Sequence, residues 1–246
     1  MNVNGPVKSI STVICAPSEK QADKLVWEKN GTERITFNDK GNIIAAEQSF
    51  LDGDSIEYIY EYNNETKEVV EKKYIAKKLS TRIVGRYNSS GEITKINKYG
   101  SNDELISNDS FTYNKLGVES KISRKKDGTL FRMHKYKNDS NGKMIEDSSF
   151  AEEDRVVSRN VYSYDNKGKI INKKNYKNNK FFKEIVYKYD IKGNETEKSF
   201  KHIDSGQIIG TAQKYSYGKN DNWVERIISV DGKPLRRDVR ELEYYK

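Results

Sequence analysis

The sequence predicts an all-β protein: an array of antiparallel β-hairpins, each about 25 residues long, running from about 31 to 246 behind an N-terminal cap segment, 1–30. Three observations carry this. The apolar residues are strand formers, with 23 Ile, 15 Val, 17 Tyr and 8 Phe against 8 Leu, and β-branched and aromatic side chains fit a pleated, half-buried surface. One phrase recurs, "YSYDNKG" at 162–168 and "YKYDIKG" at 187–193. Polar turn signals separate the apolar runs throughout.

The anchor of each unit is the last aromatic before its first turn: Phe37, Tyr62, Tyr87, Tyr113, Tyr136, Tyr164, Tyr189 and Tyr217. Two positions earlier stand Ile35, Tyr60, Gly85, Phe111, His134, Tyr162, Tyr187 and Tyr215, so most units place two large side chains on one strand face. Asp165 suits the first position of a type I turn, where its carboxylate accepts from backbone N–H groups further on. Gly168 suits the positive φ that follows, at a bulge into the return strand. Gly41, Gly91, Gly117 and Gly193 sit at the same offset, and Gly142 comes two later than expected after Tyr136. The Tyr62 and Tyr217 units lack this glycine. Second turns such as "LDGDS", "KKDGT" and "VDGKP" close each hairpin.

One hairpin buries too little to stand alone, so the units must stack. Eight units imply about 16 strands, with tyrosines in register between neighbouring strands as aromatic ladders. The expected form is an open, elongated sheet, strongly twisted or coiled. A β-sandwich or closed barrel is the alternative, because runs such as "NKGKIINKKN" are apolar on both faces. At the N-terminus "VKSISTVICA" reads as a strand covering the first edge, Ser18 as a cap for a short helix, and Trp27 as the start of the first hairpin. At the other end "VRELEYYK" reads as a last strand whose charges guard an exposed edge. Pro6, Pro17 and Pro234 fall outside the expected strands.

The Tyr-x-Tyr-Asp-x-x-Gly phrase resembles the repeat of the bacterial RHS/YD-repeat family. It is closest at 162–168 and 187–193, and degenerate over the rest of 35–221. The opening "GPVKSI" and closing "NDNWVERIISVDGKPLRRDVRELEYY" are similar to small secreted or surface YD-repeat proteins of Bacteroidetes type. The resemblance implies an exported protein, periplasmic, outer-membrane-anchored or at the cell surface, with a lipid anchor upstream of this chain. It also implies a coiling antiparallel sheet. Set against the large family members, no toxin-bearing C-terminal region is expected, and a chain of 246 residues is not expected to enclose a cargo.

Candidate chemistry is sparse. The single cysteine, Cys15, excludes a disulfide framework and a Cys-cluster metal site. His134 occupies a ring position and reads as packed, while His202 lies near a turn and reads as solvated. No nucleophile elbow or P-loop occurs, and no cofactor is expected. Glu152, Glu153 and Asp154, like Asp52 and Asp54, fall in tight turns where acids serve the backbone. An enzyme would break the repeat with inward polar residues, and the irregular 113–142 region, with His134 and Arg132, is where to look for one.

The net charge of +8 comes from 45 Lys and Arg interspersed with 37 Asp and Glu, a solvated mixed-charge face rather than a nucleic-acid footprint. Nucleic acid is therefore not an expected partner. No run of 18 apolar residues exists, and "MNVNGPVKSI" has no apolar core of a signal peptide. Many short tyrosine-rich strands also fit an outer-membrane barrel, but Glu57, Glu61 and Lys188 alternate with the tyrosines, so the sheet is expected to face water on both sides. These readings lead to a non-enzymatic exported binding or scaffold module at a bacterial cell envelope, with a protein or glycan as partner. The alternative is a glycan-binding or glycan-active protein that uses a concave tyrosine-rich face.

Overall fold

The structure, a computed structural model, describes residues 3–18, 25–151, 155–203 and 205–245. Among these it forms 18 antiparallel strands. They are β1 (Val7–Ser18), β2 (Val26–Phe37), β3 (Ile43–Phe50), β4 (Ser55–Asn63), β5 (Glu68–Ile75) and β6 (Lys78–Tyr87). Next come β7 (Ile93–Tyr99), β8 (Leu105–Asn114), β9 (Gly117–Lys125), β10 (Leu130–Asn138), β11 (Met144–Phe150) and β12 (Val156–Tyr164). The last are β13 (Ile170–Lys177), β14 (Lys180–Tyr189), β15 (Glu195–His202), β16 (Ile208–Tyr217), β17 (Trp223–Val230) and β18 (Lys233–Tyr244). Each pairs with its neighbours in sequence, and β1 pairs with both β2 and β18. The sheet is therefore a closed up-and-down barrel rather than the open, elongated sheet expected. Closure removes both exposed edges, so the charges of β18 guard no edge.

The first turns form as their chemistry dictates. Asp165 Oδ1 accepts from the N–H groups of Lys167 (3.0 Å) and Lys169 (2.8 Å), and the Gly168 N–H donates to the Asp165 carbonyl (3.1 Å). Gly168 has φ +84°, where a Cβ is disfavoured. Asn38, Asn88 and Asp139 make the same pair of side-chain bonds. Gly117 belongs to a tighter loop in which Asn114 and Gly117 face each other across the ladder.

Position 138 restores the period. Turn geometry places Asp139–Gly142 where other units place Asp165–Gly168, so the residue before the turn is Asn138 rather than Tyr136. Tyr136 then sits where Tyr162 sits, and the anchors become 37, 62, 87, 113, 138, 164, 189 and 217.

The 16 expected strands become 18 because a ninth hairpin is split between the chain ends. Tyr244 faces Val7 as Tyr164 faces Ile170, and no turn joins them. Bringing ends this far apart together carries a loop-closure cost, and the apolar core is concentrated at this seam. Val7, Ile10 (1% exposed), Ile35 and Phe37 are buried there, with Ile43, Ala46, Leu242 and Tyr244 packed against them. The Tyr245 N–H donates to the Pro6 carbonyl (2.8 Å) and the Tyr245 hydroxyl to the Phe37 carbonyl (2.6 Å). Segment 1–30 thus supplies β1 and the start of β2. Residues 19–24, where the helix capped by Ser18 was expected, lie outside the described residues. Pro17 and Pro234 lie within strands, near the ends of β1 and β18, with Pro234 beside a bulge, a position sheets tolerate.

Candidate functional site on the inner wall

Register assigns every strand residue to one of two walls, and the assignment stays consistent around the ring. In β18, Asp238, Arg240, Leu242 and Tyr244 are shielded while Glu241 and Glu243 between them are exposed. In β16, Gln213, Tyr215 and Tyr217 are shielded while Ala212, Lys214 and Ser216 are exposed. Side chains converge on the concave side of a closed sheet and splay on the convex side. The shielded set, which holds the repeat tyrosines, is the inner wall.

The interior is not packed shut. A compact monomer of this mass exposes about 11,000 Å², whereas this chain of 28.5 kDa exposes 15746 Å². A ring open to water on both walls accounts for the excess. A round ring of this many strands, with about 4.8 Å spacing and about 40° tilt, is about 36 Å across its backbone. Barrels of that size hold a solvent-filled lumen.

Several inner tyrosines are fixed at both ends. The hydroxyls of Tyr62, Tyr113 and Tyr189 donate to the carbonyls of Ile43, Ile93 and Ile170 at 2.8 Å, one hairpin upstream, and Tyr164 makes the same bond to Met144. Asn138 Nδ2 donates to the Val118 carbonyl (3.0 Å) in the same role. The strand beside most of these tyrosines contributes a polar or aliphatic residue, whereas Tyr217 faces Trp223 and Tyr176 faces Phe181. Tyr162 faces Lys173, whose Nζ lies 5.3 Å from the ring centroid, and Lys198 lies 5.5 Å from Tyr187. Cation–π contacts outnumber the aromatic pairs across neighbouring strands, where Tyr176–Phe181 (5.4 Å) and Tyr215–Trp223 (5.8 Å) are found.

The irregular region forms a polar sector of this wall. Lys121 pairs with Asp109 (2.7 Å), and His134 stacks on Tyr136 at 6.2 Å between centroids. Burial, then Lys121, lowers the His134 pKa. Asp147 accepts from Asn160 Nδ2 (2.9 Å) and from the Tyr162 hydroxyl, and burial followed by Asp147 raises the Tyr162 pKa. Arg132 faces Ser123 on the same wall. Asp109 is satisfied by Lys121, and Asp147 by Asn160 and Tyr162.

The other expected sites stay apart. His202 packs edge-on against Phe182 (5.7 Å) rather than standing free in solvent. Asp52 accepts from the Asp54 N–H (3.0 Å) within its turn. Glu152, Glu153 and Asp154 lie outside the described residues. Cys15 is half-buried in β1. Among the described residues no His, Cys, Asp and Glu group is arranged to hold a metal, and no helix is long and apolar enough to cross a membrane. Sequence reasoning missed a second sector on β17 and β18, built from Trp223, Arg226, Arg236, Asp238 and Arg240. Its only signal was "PLRRDVRE", which reads as an ordinary charged strand.

The outer wall is charged at mid-strand. Lys72 bonds Glu61 (2.5 Å), Lys188 bonds Glu197 (2.7 Å) and Arg237 bonds Glu225 (2.7 Å). On a lipid-facing wall each Lys or Arg at the midplane would cost about 2–4 kcal/mol. Fold and walls together define the class: a hollow, closed antiparallel β-barrel with charge on both surfaces. Among solved structures it is similar to a porin-like protein from Bacteroides uniformis, with a TM-score of 0.53 and 11% identity over 98% of each chain. At that identity the likeness is one of fold. A Photorhabdus luminescens Tc holotoxin pore matches 88% of this chain and 16% of its own at a TM-score of 0.35 and 12% identity, which carries no argument. No family model matches the chain, and no curated protein does. The likeness to YD-repeat proteins therefore rests on the repeat residues alone.

Proposed function

We propose that this protein is a non-enzymatic barrel of the bacterial cell envelope that holds a ligand against its inner wall. The observation that carries the reading is a closed ring that exposes 15746 Å² and whose inner wall is lined by tyrosines held in place by backbone bonds. Ordered aromatic and polar side chains offer contact area without the entropy of fixing them on binding. Export rests on the resemblance to surface YD-repeat proteins and on the porin-like fold. The inner polar network supports binding rather than catalysis, because its carboxylates are engaged by neighbouring amides and hydroxyls.

A glycan is the ligand class we favour. The wall alternates aromatic faces with hydrogen-bonding groups, and a lumen of this width admits a chain of sugars. The test is a pair of matched substitutions. Thr211→Trp fills part of the inner wall, and Lys214→Trp adds the same bulk outside. Calorimetry against an oligosaccharide panel that includes maltohexaose should show binding lost in Thr211→Trp and kept in Lys214→Trp. Equal loss in both, or binding by neither the wild type nor the variants, refutes the inner-wall reading.

A further inference from the structure

The β17–β18 sector of the inner wall is unbalanced in charge. Asp238 is 0% exposed and is fully used by two arginines. Arg226 reaches its Oδ2 through Nε (3.0 Å) and Nη2 (2.5 Å), and Arg236 reaches its Oδ1 through Nε (2.6 Å). Arg240 lies two residues further along the same face. It is 9% exposed, and its guanidinium lies 3.3 Å from the centre of the Trp223 ring. Its Nε is buried and has no hydrogen-bond partner among the described residues.

A guanidinium carries five donors and does not give up its proton in a protein. A buried charge without a hydrogen-bonding partner is costly and persists where something else supplies the partner. Burial, and then repulsion from Arg226, pushes the Arg240 pKa down to about 10, which leaves it charged at neutral pH. Glu33, two strands away across Thr12, attracts it without reaching it. Arg240 occupies an inward register position, so its remaining exposed surface faces the lumen.

We infer that Arg240, with Arg226 beside it and Trp223 beneath it, forms an oxyanion site on the inner wall that binds a carboxylate or phosphate group of the ligand in the lumen. The planar guanidinium fork matches the two oxygens of such a group. Trp223 holds the Arg240 fork and Asp238 holds Arg226 beside it before the ligand arrives, so little side-chain entropy is lost on binding. This rests on the inner-wall reading and narrows its ligand to an acidic one.

The test is calorimetry with three probes: hexagalacturonate, tripolyphosphate and uncharged maltohexaose. Arg240→Met keeps a long apolar side chain on Trp223 and removes the charge, and Arg240→Lys keeps the charge and loses the fork. Lys98→Met removes an inward charge from the distant β7. The wild type should bind at least one of the two anions, and the one it binds identifies the group. Arg240→Met should weaken that binding by about tenfold or more and Arg240→Lys by an intermediate factor, with Lys98→Met within about twofold. Thermal unfolding should show Arg240→Met folded and no less stable than wild type.

Equal affinity in Arg240→Met overturns the site, as does an equal loss in Lys98→Met, which would show only diffuse charge attraction. A wild type that binds maltohexaose, in a manner blocked by Thr211→Trp, but neither anion also overturns the site while leaving the inner-wall reading standing. Absence of binding to all three probes removes both.

Discussion

Tyr189 tests whether the repeat tyrosines work through their hydroxyls or only through their rings. Its hydroxyl donates to the Ile170 carbonyl at 2.8 Å, across the ladder that joins β13 to β14. Tyr189→Phe keeps the ring and its contacts and removes one neutral hydrogen bond. The net value of such a bond is about 1 kcal/mol, and more where the abandoned carbonyl is shielded from water. For a domain of this size that lowers Tm by about 2–4 °C. Tyr87 is the control: it ends β6 at the same repeat position, and no hydrogen bond of its hydroxyl exists among the described residues. Tyr87→Phe should change stability by less than about 0.5 kcal/mol. The assay is urea unfolding followed by tyrosine and tryptophan fluorescence, with the slope compared to confirm that only the midpoint moves. Tyr113→Phe combined with Tyr189→Phe should cost about the sum of the two, because the sites are several strands apart. If Tyr189→Phe and Tyr87→Phe are indistinguishable, the hydroxyl bonds contribute nothing and the repeat tyrosine is a ring position alone.

Further outcomes follow from the same geometry. Asn138→Ala should cost about 1 kcal/mol, by loss of the bond to Val118, while Tyr136→Phe is neutral in the same unfolding assay, because Asn138 holds the anchor position. Gly41→Ala should cost about 1 kcal/mol through conformation alone, since φ is +78° and no atom lies within 4 Å of an added Cβ; a crystal structure of the variant should show an unchanged turn. Ile10→Ala should cost about 3 kcal/mol or more in equilibrium unfolding, because Ile10 lies at the seam that closes the barrel. Burial first, then Glu71 for Tyr60 and Asp190 for Tyr217, raises both hydroxyls to about 12. A raised folded pKa gives stability that is complete below the unfolded value near 10 and is lost as pH climbs from there through about 12. Ultraviolet titration should therefore show these tyrosines ionising together with unfolding, and ionisation near pH 10 in a still-folded barrel would refute the argument.

Much of this architecture was legible because it is local. The Asp-x-x-Gly turn needs only a carboxylate two to four residues from the N–H groups it accepts and a residue that tolerates positive φ, so 165–168 and 190–193 declared themselves. Alternation in "YKY" set both rings on one wall for the same reason: pleat is a property of consecutive residues. Because every strand pairs with its neighbour in sequence, the order of the sheet followed as well. The irregular unit misled for an equally local reason. Tyr136 is the last aromatic before its turn, but a strand ends where its turn begins, and Asn138 reaches the upstream carbonyl as a tyrosine would.

What the tertiary structure decided is what depends on distance and accumulated geometry. Closure rests on β1 meeting β18, with Ser9 and Glu243 bonded across 234 residues of chain, and no short stretch of sequence states whether successive twists bring those ends together. The identity of the inner wall follows from closure, because only a curved sheet has a crowded side. Trp223, Arg226 and Arg240 come from two strands, and only register places both guanidinium groups around one indole ring and leaves one of them without an acceptor. The sequence by itself determined a meander of hairpins with one aromatic wall; the pairing of its two ends made that wall an interior.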